Sequence, residues 1–411
     1  MKPRRHTIHS NAKGLIQTAH NARKCRVLLL YRRMIPSVRL CGHSQLKALG
    51  DAGEIEYRAV RDRRLRRSDL AWADVVFLGR SDNWYERQIA RAAYASGRRL
   101  VYVIDDDLLN LPPEIASAAY LGQSAIQANI RAMVEMSDAI LSPSPLLLEK
   151  YAANGRIAMR TEEPALEPAP FRPHDPDQPV KIGFAGSVDR TSDLEALLRE
   201  ALLRVKATYG EKVAFEFFGA APDFAAALNA RCVPYTDAYI DYRRRLNALN
   251  WDIGLAPMPD TPFHACKHYN KFCEYAAAGV TGIYSDLPPY TFLPNRETLG
   301  RFCPNDPDAW YAQICAEIDD APGREARRRR LSEYARDELS PGNIGRALLQ
   351  AHPEVFAPVE AEPLLMAPMA LLKLGNAVNQ TLEKGRRYGL RLPGVALKRL
   401  SAALRGGEGD C

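Results

Sequence analysis

The stretch from Trp251 to Asp286, WDIGLAPMPDTPFHACKHYNKFCEYAAAGVTGIYSD, decides how the chain is interpreted. Residues 252–257 form a short apolar run that ends in Pro-Met-Pro-Asp, which is typical of a buried strand followed by a loop. The segment after it is predicted to be a helix up to Gly279, because glycine is the usual residue just past a helix end. Residues 280–285 then form a second apolar strand. Strands that alternate with helices in this way predict a parallel α/β sheet.

Three charged residues recur along the predicted helix at the spacing of one helical face. Lys267, Lys271 and Glu274 stand at i, i+4 and i+7, so two ammonium groups and one carboxylate are expected on the same side. One interpretation is a solvated face with ordinary Lys/Glu pairs. The other is an anion site, because the loop at 258–263 follows the carboxyl end of a buried strand, where open α/β sheets bind ligands. The lysines would then neutralise a diphosphate, and Glu274 would accept hydrogen bonds from ribose hydroxyls.

These residues carry a resemblance to a known family. The pattern is Lys267-x3-Lys271-x2-Glu274-Tyr275-x-Ala-x-Gly279, preceded by Asp252-Ile-Gly-Leu-Ala-Pro and followed by Ile283-Tyr-Ser. It resembles the donor-binding half of retaining bacterial glycosyltransferases with the GT-B fold (glycosyl transferases group 1, family 4-like), which use nucleotide-diphosphate sugars. The resemblance covers about residues 26–352 and is strongest in the second half. Many members have a first Glu eight positions before the ribose-binding Glu; here Cys266 stands at that position.

The resemblance implies a donor site made by two segments of the second half. One is the turn after the predicted strand 181–185, where glycine lets a ligand approach the backbone and a helix amino terminus offers N–H groups to phosphate. In the family a basic residue of this turn meets the diphosphate; Ser187 occupies the usual Arg position, and Arg190 is the nearest substitute. No obligatory cofactor is implied beyond the nucleotide-diphosphate sugar as donor substrate. The expected donor-binding residues are Gly186, Ser187, Arg190, Lys267, Lys271 and Glu274.

An acidic cluster, Asp105-Asp106-Asp107, follows the predicted strand 100–104 of the first half. Adjacent carboxylates repel one another, so they need solvent, a cation or a basic partner. The cluster could cap a turn, it could contact the acceptor or take its proton, or it could be the metal-binding Asp-x-Asp of the other glycosyltransferase fold. The family has an acidic cluster at this edge, which favours the second interpretation. The catalytic candidates are Asp106, Asp105 and Lys271, and the acceptor-side candidates are Arg80, Asp107 and His264.

Other site chemistries have less support in the sequence. His264 and His268 stand at i, i+4, but the third ligand of a zinc site and the Glu of HExxH are missing, so no metal site is expected. No GxGxxG follows the apolar run 27–31 and no Walker A motif occurs, which argues against a dehydrogenase or an NTPase.

Composition and charge organise the rest of the chain. With 411 residues, 46% hydrophobic and 26% charged, it is expected to fold as two or three globular domains. Residues 1–35 hold nine Lys/Arg and no acid, and residues 366–407 hold eight Lys/Arg and one acid. We predict a disordered basic arm (1–24), a Rossmann-like acceptor domain (25–160), a Pro-rich linker (161–180), a Rossmann-like donor domain (181–352) and a basic amphipathic tail (353–411).

For two charged segments, a purely structural interpretation competes with a functional one. In the tail, apolar residues at helical spacing are flanked by basic ones, which suits an amphipathic segment on an anionic membrane surface or one that packs on the protein body. They are Leu371, Leu374, Val378 and Leu382, then Leu397, Leu400 and Leu404. The run Arg327 to Arg330 is predicted to be a solvated helix face.

The sequence therefore predicts an α/β protein of two doubly wound domains facing a cleft, with a basic helical tail. The predicted function is transfer of a sugar from a nucleotide-diphosphate sugar to a glycan or lipid-linked acceptor, in cell-surface polysaccharide biosynthesis. The eight cysteines include no CxxC, and no signal peptide is visible, so a cytoplasmic protein that binds the inner face of the plasma membrane is expected, with no nucleic-acid partner. The alternatives are a sugar-nucleotide epimerase of the same fold and an inactive relative acting as a membrane scaffold.

Overall fold

The computed structural model describes residues 23–387, with side chains up to residue 379, and contains two six-stranded parallel sheets. All but two residues of the predicted basic arm, and the tail beyond residue 387, lie outside this range. In the described part, no helix is both long enough and apolar enough to cross a membrane.

The first domain is built on a sheet with strand order β2-β1-β3-β4-β5-β6. Its strands are β1 (Arg26–Tyr31), β2 (Glu56–Arg61), β3 (Val75–Gly79), β4 (Arg99–Val103), β5 (Ala139–Ser142) and β6 (Ile157–Arg160). Its helices are α1 (Pro36–Val38), α2 (Ser44–Asp51), α3 (Arg67–Trp72), α4 (Trp84–Ala95), α5 (Ala118–Leu121), α6 (Ser124–Met136) and α7 (Pro145–Tyr151). β3 is buried along its whole length, as expected for a strand covered by helices on both faces.

The second domain repeats this plan with strand order β12-β11-β10-β7-β8-β9. Its strands are β7 (Val180–Gly186), β8 (Val213–Gly219), β9 (Arg231–Val233), β10 (Ile253–Ala256), β11 (Thr281–Ser285) and β12 (Gly300–Cys303). Its helices are α8 (Thr191–Tyr209), α9 (Tyr239–Leu249), α10 (Pro262–Ala265), α11 (Asn270–Ala278), α12 (Arg296–Leu299), α13 (Pro307–Asp319) and α14 (Ala321–Asp337). Two further helices follow, α15 (Pro341–Ala351) and α16 (Met369–Arg387). The prediction of two doubly wound domains is confirmed.

The predicted lysine-bearing helix differs from the structure in one respect. It is two helices, α10 and α11, separated by a break at residues 266–269. Lys267 lies in this break, so it does not share a helix face with Lys271 and Glu274. Gly279 ends α11 in the left-handed conformation, as the sequence predicts (φ +66°).

The centre of the second sheet depends on close packing of aromatic rings against glycine. A Cβ atom at Gly183 of β7 would lie 2.2 Å from the Trp251 ring, and one at Gly254 of β10 would lie 2.6 Å from Tyr275. The Trp251 Nε1 donates a hydrogen bond of 2.8 Å to the buried Glu216 carboxylate. These glycines therefore let α11 approach the sheet closely enough to place its polar residues at the strand ends.

A buried ion pair ties α14 to the amino end of the same sheet. Arg328, 1% exposed, lies 3.1 Å from Asp252 and donates to the carbonyls of Gly279 and Arg172. Asp252 also accepts from the Lys181 backbone N–H at 2.9 Å. The prediction of a solvated face at 327–330 is therefore wrong for Arg328, which is held inside because each of its nitrogens has a partner.

The linker and the tail both contact the domains closely. Residues 161–179 contain no helix or strand, and they run along the second domain: the Ala169 N–H donates to the Ala277 carbonyl at 2.8 Å. After α14 the chain returns to the first domain, where Leu348 of α15 and Phe356 enter the core. A Cβ atom at Gly345 would lie 2.9 Å from the Gln45 carbonyl, so α15 and α2 are in direct contact. Thus α15 lies within the range predicted for the donor domain, 181–352, but it packs on the first domain.

A second contact joins the start of the linker to the break between α10 and α11. His268 Nε2 lies 3.0 Å from Glu162 Oε2, and the Tyr269 hydroxyl donates to the same oxygen at 2.5 Å. Burial opposes the charged imidazole, but the hydrogen bond to Glu162 and the Glu163 carboxylate, 3.7 Å from Nδ1, raise the pKa of His268 to about 9. The His268 side chain is therefore cationic at neutral pH and bonds the second domain to the start of the linker.

We predict that Arg328→Met destabilises the second domain by about 3–5 kcal/mol, because it leaves Asp252 buried without its cation. Urea unfolding followed by circular dichroism measures the loss. The matched control is Arg330→Met on the same helix, which is exposed and should change stability by less than about 0.5 kcal/mol. Equal stability of the two variants would contradict the assignment of Arg328 as a structural cation.

Candidate functional site

The candidate site lies where the strands of both sheets end. Arg80 directly follows β3, and Asp105 and Asp106 follow β4, so they share the carboxyl edge of the first sheet. Arg80 has a left-handed backbone (φ +51°), which is uncommon for a non-glycine residue and marks local strain of the kind found at functional sites. Its guanidinium lies 2.9 Å from Asp105 and 3.3 Å from Asp106.

The acidic cluster meets a cation of the second domain. Lys267 Nζ donates to Asp106 Oδ1 at 2.9 Å, so the break between α10 and α11 faces the acidic edge. Burial alone would raise the pKa of Asp106, but Lys267 and Arg80 lower it to about 2. Burial raises the pKa of Asp105 to about 6, against the opposing effect of Arg80. Two adjacent carboxylates thus differ in proton affinity, a pattern that suits one of them to proton transfer.

Asp107 differs from its neighbours. It is buried within the first domain, where Lys150 and Tyr151 both donate to its carboxylate and Asn110 donates at 2.9 Å. These contacts lower the pKa of Asp107 against the effect of burial. The structure therefore gives Asp107 bonds within the turn and α7, as in the turn-forming interpretation, and does not bring it to the edge with Asp105 and Asp106.

Glu274 of α11 is buried, unlike the three basic residues of the predicted donor-binding set. It is 3% exposed, and its carboxylate accepts hydrogen bonds from Lys271 Nζ at 2.6 Å and from the Tyr242 hydroxyl at 2.8 Å. Burial would raise the pKa of Glu274, but Lys271 and Arg243 lower it below the usual value. A solvated helix face is thus excluded for Glu274. Lys271, partly exposed beside it, keeps its ammonium at the surface of this buried cluster.

The turn after β7 lies on the same side of the second domain. Gly186 ends β7, Ser187 follows, and Arg190 donates to the carbonyl of Pro257, in the loop after β10, at 3.1 Å. His264 of α10 is close to this group: burial, then the charges of Arg190 and Lys267, lower its pKa to about 4. His264 is therefore neutral at pH 7 and available to donate or accept a hydrogen bond.

The loop after β10 is held in place by a closed set of hydrogen bonds. The Met258 N–H donates to Ser285 Oγ at 2.8 Å, Ser285 donates to Asn305 at 2.6 Å, and Asn305 donates to the Met258 carbonyl at 2.8 Å. Ser285 ends β11, so the loop is tied to the neighbouring strand. This rigidity fixes the position of the segment that leads to His264 and Lys267.

Cys266 occupies the position where the resembling family often has a carboxylate. The thiol is buried against first-domain residues, and burial raises its pKa. The two histidines of the i, i+4 pair point to different partners, since His264 lies 2.8 Å from the Thr261 hydroxyl and His268 contacts Glu162. Among the described residues, no group of three His, Cys, Asp or Glu side chains is placed to hold a metal ion.

The residues that enclose Glu274 were missed in the sequence. Tyr239 and Tyr242 stand at i, i+3 on α9 and stack with ring centroids 5.9 Å apart beside the carboxylate. The only signal was their spacing on a helix that immediately precedes the stretch 251–286. Ser37, which accepts a hydrogen bond from Arg80 at 2.8 Å, had no sequence signal because it lies 43 positions away.

Comparison with solved structures shows the same architecture. HepE from Anabaena, solved with UDP and glucose, is 13% identical, and the match covers 80% of this chain and 99% of that one with a TM-score of 0.52. Sucrose-phosphate synthase from Thermosynechococcus elongatus is 11% identical over 81% and 99%, with a TM-score of 0.55. A Listeria monocytogenes protein described as a UDP-N-acetylglucosamine 2-epimerase is 12% identical over 82% and 100%, with a TM-score of 0.50.

At sequence level, no family model and no curated protein matches the chain. At these identities the structural likeness is one of fold. The chain has the GT-B fold, the two-domain α/β architecture that its sequence resembles.

Proposed function

We propose that the protein is a glycosyltransferase that moves a sugar from a nucleotide-diphosphate sugar to an acceptor bound on the first domain. The observation that carries the proposal is the meeting of two charge sets at the strand ends. Arg80, Asp105 and Asp106 come from the first domain, and His264 and Lys267 come from the second. Fold neighbours solved with UDP support a nucleotide-sugar donor.

The residues of the second domain would hold the donor. Lys271 and Arg190 supply positive charge for the diphosphate, and Gly186 and Ser187 supply backbone at the end of β7. Glu274, ionised and oriented by Tyr242, accepts hydrogen bonds from ribose hydroxyls. Cations fixed around the leaving diphosphate stabilise the charge that develops on it, which is commonly the largest protein contribution to such a transfer.

The residues of the first domain would act on the acceptor. Asp105, with a pKa of about 6, suits the removal of a proton from a sugar hydroxyl near neutral pH, whereas Asp106 is held ionised by Lys267. Arg80 orients both carboxylates. His264, neutral beside Lys267, would contact the transferred sugar or the acceptor, and we propose retention of configuration by analogy with the resembling family.

An epimerase is the second candidate, because one fold neighbour is described as such. The two activities separate in a simple assay: an epimerase changes the nucleotide sugar without an acceptor, and a transferase releases nucleoside diphosphate as the sugar moves. An inactive scaffold changes neither. The bond between Lys267 and Asp106 favours transfer, since it places acid–base groups of one domain beside the donor side of the other.

The tail supports a place at a membrane surface. It packs on the first domain through Leu364 and Leu372, which are buried, while Leu371 and Leu374 are 49% and 53% exposed. Leu382, Leu397, Leu400 and Leu404 lie outside the described side chains. We infer that the outward leucines and the basic residues around them bind an anionic leaflet, which would bring a lipid-linked acceptor in cell-surface polysaccharide synthesis to the first domain.

Donor binding should depend on Lys271 and Glu274 in different ways. We predict that Lys271→Met weakens UDP and pyrophosphate alike, by about tenfold or more, because it removes a charge-assisted contact worth roughly 1.5–3 kcal/mol. Glu274→Gln should weaken UDP while leaving pyrophosphate unchanged, since only UDP presents ribose. Isothermal calorimetry measures both. The control is Lys181→Met at the opposite end of β7, and wild-type UDP affinity in folded Lys271 and Glu274 variants would move the donor site elsewhere.

Turnover should depend on the acidic edge more than binding does. We predict that Asp106→Asn lowers the rate of nucleotide-sugar turnover at least about tenfold, because it breaks the ion pair with Lys267 beside the proposed proton acceptor Asp105. UDP affinity should change less than about threefold, because Asp106 belongs to the first domain. Rates of UDP release and calorimetry give the two quantities. Asp105→Asn and Asp107→Asn serve as comparison, and wild-type rates in all three variants would make the cluster structural.

Membrane binding should depend on the two outward leucines. We predict that Leu371→Ser/Leu374→Ser reduces pelleting of the full chain with phosphatidylglycerol vesicles, and that wild-type pelleting falls as salt rises from 0.05 to ~0.5 M, because charge attraction is screened. Neutral phosphatidylcholine vesicles and an Asn376→Ser variant are the controls. Equal pelleting of the double variant and the wild type would assign the leucines to another contact.

A further inference from the structure

An arginine groove opens at the carboxyl edge of the first sheet, beside the ends of β1 and β2. It encloses about 660 Å³ and is lined by five arginines, Arg32, Arg33, Arg61, Arg64 and Arg66, with one carboxylate, Asp69. None of the residues assigned above to donor or acceptor lines it. The groove is therefore a separate feature of the first domain.

The positive charge of the groove is only partly compensated, because a buried carboxylate between these arginines, Asp62, interacts with Arg32 and Arg61, whose charges oppose the rise in its pKa that burial causes. Arg32 is paired, since it donates to Asp82 at 3.1 Å and to the Tyr120 hydroxyl at 2.7 Å. Asp69 is 3.4 Å from Arg58, outside the groove. Within residues 23–379, no ion pair engages the four remaining guanidinium groups, those of Arg33, Arg61, Arg64 and Arg66. Clustering like charges costs free energy, so such a concave set is suited to an anion.

The groove is connected to the acidic edge by a single short loop. In this loop, residues 80–82, Arg80 forms ion pairs with Asp105 and Asp106 at one end. At the other end Asp82 forms an ion pair with Arg32. β1 lies two strands from β4 in the sheet, which is about 10 Å at the usual strand spacing. A molecule with an anionic group in the groove could therefore reach the acidic edge with a hydroxyl about one or two sugar rings away.

The geometry points to a phosphoryl group, most fittingly a diphosphate, on the acceptor as the occupant of the arginine groove. A carboxylate would neutralise only one of four cations, whereas a diphosphate carries two to three charges and accepts paired hydrogen bonds from several guanidinium planes. That the bound molecule is an acceptor rests on the proposed function. That the groove binds an anion rests on the groove alone. The acceptor class is thus a sugar phosphate or a lipid-linked sugar diphosphate.

The tail lies next to the groove. Its position helps to distinguish a lipid-linked sugar diphosphate from a soluble sugar phosphate. Arg67 donates to the Leu364 carbonyl at 2.6 Å, and Lys373 of α16 reaches the Leu65 carbonyl at 3.5 Å, so α16 borders the loop that carries Arg64 and Arg66. The exposed Leu371 and Leu374 belong to this same helix. An apolar surface beside a diphosphate site suits a lipid chain, whereas a soluble phosphate would not use it.

The test is calorimetric titration of the full chain with inorganic pyrophosphate. Wild type should show two classes of site, one weakened in Lys271→Met and the other weakened about tenfold to 100-fold in Arg61→Gln/Arg64→Gln. Arg63→Gln, exposed and next to the groove without lining it, is the matched control. Both arginines are exposed, so folding should be kept, and thermal midpoints verify this. Unchanged pyrophosphate binding in the double variant overturns the inference.

Two further titrations identify the source of the phosphoryl group. The first titration uses farnesyl diphosphate in detergent. If it binds at least tenfold tighter than pyrophosphate, and Leu371→Ser/Leu374→Ser abolishes this difference in affinity, the acceptor is lipid-linked. Equal affinities for the two ligands indicate a soluble phosphate. Trigalacturonate that binds as tightly as pyrophosphate overturns the phosphoryl assignment. UDP affinity that is unchanged in the Lys271 and Glu274 variants would contradict the proposed donor site. If Arg61→Gln/Arg64→Gln still weakens pyrophosphate binding in that case, the anion site in the groove is supported independently.

Discussion

Parallel pairing is the constraint on which the rest of this structure depends. Every strand of both described sheets runs in the same direction as its neighbours, so all strand ends of a sheet gather at one edge. Residues far apart in the sequence, such as Arg80, Asp105 and Asp106, are brought together there without any local pattern between them. The carboxyl edges of the two sheets meet through the ion pair between Lys267 and Asp106, and this contact brings charged residues of both domains together.

The fold was predictable from sequence because its signals are local. Apolar runs at 27–31, 100–104, 181–185, 252–257 and 280–285 predicted β1, β4, β7, β10 and β11 to within a residue at each end, and the end of α11 followed from Gly279. The break at 266–269 was not predictable, because it contains neither glycine nor proline. It arises from distant partners: Asp106 binds Lys267, and Glu162 binds His268 and Tyr269. Tertiary contacts thus outweighed a helical spacing that the sequence displayed.

Charged residues were the least predictable part of the site. Arg328 lies in a run that looks solvent-exposed, yet an aspartate and two backbone carbonyls hold it in the core. Asp107 resembles its two neighbours in sequence, but Lys150 and Tyr151 turn it inward. In each case the partner that decides the burial of a charge lies on another element, and nothing within a few residues of the charge reveals it.

The return of α15 to the first domain has a mechanical consequence. The polypeptide passes between the domains twice, once through the linker after β6 and once between α14 and α15. Two connections restrict the relative movement of the domains more than one would, and rotation about the line that joins the two crossings strains them least. Such a rotation changes the distance between the two sheet edges, and it therefore opens or closes the cleft between them.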